Sequence, residues 1–73
     1  MDAKEWIAAY ADLLGTPPPT DAEFDAILDL AAEAAHDSER VAAPVACWLC
    51  AKAGRSLEDA LALARQVAPP HAS

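Results

Sequence analysis

Three consecutive prolines, Pro17-Pro18-Pro19, divide this 73-residue chain into a short leading segment and a longer remainder. Proline locks its φ angle and has no backbone N–H, so residues 16 to 19, Thr-Pro-Pro-Pro, form a stiff, extended connector that cannot be helical throughout. The other breaks follow the same logic. Gly15 and Gly54 are placed to end helices in a left-handed conformation, and Ala43 precedes Pro44 and is biased away from helical geometry. Pro69 and Pro70 stop whatever comes before them.

Between these breaks the pattern is helical. Asp2 with Glu5, Thr20 with Glu23 and Ser56 with Asp59 each place an oxygen acceptor three residues before an acid, the capping-box pattern that opens a helix. Trp6, Ile7, Tyr10, Leu13 and Leu14 then recur at helical spacing, as do Phe24, Ile27, Leu28, Ala31 and Ala35, and Leu57, Leu61, Leu63, Ala64 and Val67. Pro44 is well placed as the first residue of a further helix, where its missing N–H is not needed, with a break near residues 39–43 before it. From Val45 to Ala51 that helix is apolar all round, which marks a buried helix. The spacing predicts an all-α, compact four-helix domain with helices about 2–14, 20–38, 44–53 and 57–68. The third helix is expected to be buried and central, packed by Trp6, Tyr10, Phe24, Leu28 and Leu61, with Trp48 its largest anchor. Residues 1–68 read as a single domain and residues 69–73 as a flexible tail.

Composition supports helices over strands. Hydrophobic residues make up 55% of the chain, but 20 of them are alanine, which favours helix and lets helices approach closely. A chain this short buries only about 60% of the surface it exposes when unfolded, so its stability is expected to be marginal. The net charge of −7, with the five basic residues scattered, argues against nucleic acid or an anionic membrane as partner. No stretch approaches the roughly 20 apolar residues of a membrane span, and no leader pattern is present, so the expected location is the cytoplasm.

Four constellations carry possible chemistry. Cys47-Trp48-Leu49-Cys50 has the spacing of a redox pair near a helix start, but its surroundings are apolar and buried cysteines commonly act as small hydrophobes. Glu33-x-x-His36 has the spacing used in di-iron bundles, yet the chain has no second copy of it; Asp25, Asp29 and Glu33 read instead as the solvated face of the second helix. Neither a metal nor another cofactor is expected. Ser38, preceded by Asp37 in an acidic helical chain, resembles the attachment serine of acyl carrier proteins, which bears phosphopantetheine. That family has glycine before the aspartate and leucine or methionine after the serine, whereas His36 and Glu39 stand here. Finally, His36, Glu39 and Arg40 fall on one side of a helix if it continues, and are candidates for an anion or partner contact. The competing reading is structural, with Arg40 paired to a nearby acid and His36 bonded to a backbone carbonyl.

The runs Leu28-Asp29-Leu30-Ala31, Ala35-His36-Asp37-Ser38-Glu39-Arg40-Val41-Ala42-Ala43-Pro44 and Ala53-Gly54-Arg55-Ser56 resemble a short actinobacterial domain of unknown function. That family occurs alone or fused to nucleotidyltransferases of molybdopterin-guanine dinucleotide biosynthesis. The resemblance covers nearly the whole chain and is most distinctive in Ala-His-x-x-Glu-Arg-x-Ala-Ala-Pro, residues 35–44. Its pattern has aliphatic or small residues where Cys47 and Cys50 stand. The resemblance implies a cytoplasmic accessory domain acting through protein contacts, with a molybdenum-cofactor nucleotidyltransferase as candidate partner. No glycine-rich phosphate loop on an α/β core is present, so the chain is not expected to be an enzyme. A homodimer is also expected, because a small alanine-rich core needs an interface to be stable.

Overall fold

In the computed structural model, which describes residues 1–67, four helices follow one another: α1 Ala3–Leu14, α2 Asp21–Asp37, α3 Ala42–Ala53 and α4 Leu57–Ala64. The described residues contain no strand. The all-helical class and the four elements are those the sequence predicts. Helix α4 ends at Ala64, and Gln66 and Val67 close a tighter turn onto the carbonyls of Leu63 and Ala64. The predicted helix is therefore too long at its end, since residues 65–67 are not α-helical; residue 68 and the expected tail at 69–73 lie outside the described residues.

The helix starts show why these segments fold as they do. Asp2 Oδ1 accepts from the Glu5 amide at 2.8 Å while the Asp2 amide donates to Glu5 Oε1 at 3.1 Å. Thr20 and Glu23 repeat this exchange at 3.1 and 2.8 Å. Each box satisfies two amides that the helix itself leaves unpaired. The third is only half formed: Ser56 Oγ accepts from the Asp59 amide at 3.1 Å without a return bond, as suits aspartate, whose side chain is one methylene shorter than that of glutamate. Gly15 and Gly54, at φ 80° and 70°, end α1 and α3 in the left-handed region expected for them.

Helix α3 begins two residues before Pro44. Glu39 and Arg40 carbonyls accept from the Ala42 and Ala43 amides, and this turn feeds directly into the helix. Pro44 therefore sits inside the first turn, where an absent N–H costs nothing. Val41 precedes the helix without a side-chain cap.

Packing departs from expectation. The central element is α2, which packs along both α3 and α4, and its Leu30, 3% exposed, fills the junction. Helix α3 is an outer helix with no buried residue, and Trp48 is 59% exposed. The reason lies in which face α3 turns inward. Its small residues, among them Ala46, Cys47 and Cys50, are the half-buried ones, while Val45, Trp48 and Leu49 stand outside. Small side chains let two backbones approach closely, and with only two helices packed on α2 nothing remains to cover the outer side. Trp6, Tyr10 and Leu28 are likewise exposed and do not form the expected wall around Trp48.

Helix α1 packs along none of the others. It buries Ala11 and touches the start of α2 through Lys4. The chain measures 44 × 24 × 18 Å with a radius of gyration of 13.4 Å. A compact chain of this length is expected near 11 Å.

Candidate functional site

His36 is exposed in the last turn of α2, and Glu39 and Arg40 are exposed beyond its end. The helix stops at Asp37, and Ser38, at φ −141° and ψ −101°, turns the chain, so the helical spacing that would align the three side chains is interrupted. Among the described residues no hydrogen bond or ion pair joins them to one another, and neither Arg40 with a nearby acid nor His36 with a carbonyl forms the expected structural pair. Ser38 Oγ donates to the Ala34 carbonyl at 2.8 Å, the same oxygen that accepts the Ser38 amide at 3.2 Å, so the side chain reinforces the last backbone bond of α2.

Both cysteines are free thiols, half-buried on the inner face of α3. Desolvation, helped by the neighbouring Cys50, pushes the Cys47 thiol above its ordinary pKa. That is the opposite of the depression that makes a cysteine nucleophilic. Cys50 Sγ contacts the Arg55 carbonyl at 3.8 Å, beyond the end of α3. Glu33, the other half of the Glu-x-x-His pair, lies 3.6 Å from Arg65 Nε across the α2–α4 contact. Among the described residues no three His, Cys, Asp or Glu side chains come together as metal ligands do.

What the sequence did not suggest is a groove. Helices α3 and α4 both lean on α2 without closing against each other, and between them lies an open space of about 640 Å³. Leu30 and Ala34 form its floor, Leu49 and Cys50 one wall, and Leu63 and Ala64 the other. Glu33, Asp37, Ser38 and Arg55 supply its polar edge. The volume falls within the range of sites that hold an organic ligand, and an open groove between two helices is also the shape that receives the apolar face of a helix. One sequence signal does anticipate it: with half the hydrophobic residues alanine, three short helices have too little side-chain volume to fill the space between them.

Two further apolar stripes face solvent. On α1, Trp6, Tyr10 and Leu13 follow one another at helical spacing, the two rings 5.2 Å apart and tilted by 31°. Along α3 and the residue before it, Val41, Val45 and Trp48 do the same, and the Lys52 ammonium caps the Trp48 ring at 4.8 Å. Exposed apolar stripes of this kind mark contact surfaces.

Fold and surface together define a small all-helical domain built around an open apolar groove. The chain belongs to the family described as Domain of unknown function (DUF6457), which matches it over residues 1–72. No curated protein and no solved structure matches it. Membership of a domain family of unknown function agrees with the resemblance read from residues 28–56. No helix among the described residues is long and apolar enough to cross a membrane.

Proposed function

We propose that this domain is a non-enzymatic interaction module of the cytoplasm whose apolar groove receives an amphipathic helix. The carrying observation is the groove between α3 and α4, apolar on its floor and walls and polar at its edge. The large side chains left outside the core, Trp6, Tyr10, Trp48 and Leu49, support the same reading. Aromatic residues dominate binding surfaces because they bury much area for little lost freedom. Two free thiols suit a reducing compartment.

The resemblance to domains fused with molybdopterin-guanine dinucleotide nucleotidyltransferases names the partner to try first. Residues 40–57 contain Arg40, Lys52 and Arg55 and no acid, so this stretch would meet an acidic surface, with His36, Glu39 and Arg40 at its approach. Titration calorimetry of the full chain against that nucleotidyltransferase tests the proposal. Binding that Leu63→Asp abolishes and Arg40→Ala weakens supports it, and no heat at micromolar concentrations of either protein rejects this partner.

The carrier reading keeps one observation in its favour: the Ser38 side chain is exposed at the edge of the groove. Intact mass after incubation with coenzyme A and a phosphopantetheinyl transferase decides it. A gain on the wild-type chain that Ser38→Ala removes establishes a carrier; an unchanged mass rules it out.

A further inference from the structure

Resting on the interaction reading, we infer that the helix the groove receives is α1 of a second copy, the two copies exchanging first helices reciprocally. Four observations converge on this occupant.

The first is area. A folded monomer of 7.6 kDa is expected to expose about 4,300 Å², whereas this chain exposes 5709 Å². Allowing residues 68–73 all the surface an unfolded stretch of that size exposes, about 800 Å², still leaves a surplus of roughly 900 Å² over a monomer of the described residues. One partner in a standard interface contributes about 800 Å². The excess matches one side of a dimer interface in size.

The second is fit. The groove follows α2 from Leu30 to Ser38, about 12 Å at the helical rise. The α1 stripe from Trp6 to Leu13 spans about 10 Å by the same rise. Its large rings complement a groove whose floor and walls are rich in alanine.

The third is charge. Residues 2–14 hold Asp2, Glu5 and Asp12 against Lys4, a net of −2, while residues 40–57 hold three basic side chains and no acid. The groove also presents Glu33 and Asp37, of which Glu33 is already matched by Arg65. Of the three basic side chains Arg55 lines the groove, while Arg40 and Lys52 lie outside it, so an acidic helix is favoured at the Arg55 end.

The fourth is connectivity. Helix α1 packs along none of its own neighbours and is joined to α2 through three prolines. A stiff linker that holds an amphipathic helix off its own core presents it to another molecule, the arrangement that favours exchange of an identical element between protomers.

The test is sedimentation equilibrium of the full chain from micromolar to hundreds of micromolar. The expected species is a dimer of twice 7.6 kDa. Trp6→Glu in α1 and Leu63→Asp in the groove alter exposed residues, so each should keep its helical circular dichroism. Each variant homodimer loses two buried anchors, one per α1–groove contact, so dimerisation should weaken by about a thousandfold or more. Mixing the two variants restores one intact α1–groove contact, and a heterodimer tighter than either homodimer is expected. Trp48→Phe leaves Trp6 as the sole indole, whose emission should shift to the blue as the dimer forms.

A wild-type chain that stays monomeric throughout while melting cooperatively overturns the exchange. So does a dimer that both variants leave intact, because its interface then lies elsewhere. A monomer that still binds the nucleotidyltransferase through the groove overturns the exchange and leaves the interaction module standing, so the two failures are distinct.

Discussion

The Lys4 ammonium lies 3.1 Å from the Asp21 carboxylate, tying the first turn of α1 to the first turn of α2. The same ammonium stands 5.1 Å from the centre of the Phe24 ring. Both members of the pair are largely exposed, so the contact is worth under about 1 kcal/mol. Lys4→Ala should leave the melting of the α2–α4 unit nearly unchanged and speed hydrogen exchange in α1. A slower or unchanged exchange in α1 would mean that something other than Lys4 holds it.

Among the described residues Leu30 is the one large side chain buried at the junction of α2, α3 and α4. Leu30→Ala removes that anchor and should cost about 2–5 kcal/mol. In so small a domain this is a large part of the total stability, so the variant should show a greatly reduced urea midpoint or no folded baseline. A loss below about 1 kcal/mol would show that the junction contributes little.

The two kinds of helix start predict unequal losses. Thr20→Ala breaks a full reciprocal box at the start of α2 and should cost about 1 kcal/mol. Ser56→Ala removes the single bond at the start of α4 and should cost less, by a few tenths of a kcal/mol. Thermal melts of both variants compare them directly, and an equal or larger loss at Ser56 would contradict the ordering.

Burial raises the pKa of Cys47, so the folded state binds its thiol proton more tightly than the unfolded state does. The resulting stability is fully present at neutral pH and is lost as pH rises past the ordinary thiol value, about 8.5. Cys47 should therefore react slowly with iodoacetamide at neutral pH and faster in alkali, followed by mass spectrometry on Cys50→Ala. Fast alkylation of the folded chain at pH 7 would point to an activated thiol.

Much of the fold was legible in particular residues. Asp2, Thr20 and Ser56 mark three helix starts, and Gly15 and Gly54 mark two helix ends, because each satisfies a local backbone requirement. Pro44 was less exact, since a proline is tolerated at several places in a first turn and the true start is Ala42. His36, Glu39 and Arg40 were read as one helical side, but where α2 ends depends on the turn at Ser38, which spacing does not specify. The groove left no local pattern at all, because its residues come from three helices.

The amino-acid sequence by itself therefore determined how many helices form, where most of them begin and end, and that the chain is acidic and alanine-rich. The number and bounds of the helices follow from contacts within a few residues along the backbone, and the charge from composition. Which helix is central was decided by tertiary packing. An all-apolar helix such as α3 offers either face to α2, and the close approach permitted by Ala46, Cys47 and Cys50 selected the small one. That choice turned Trp48 outward, made α2 the core element and left the groove open beside it.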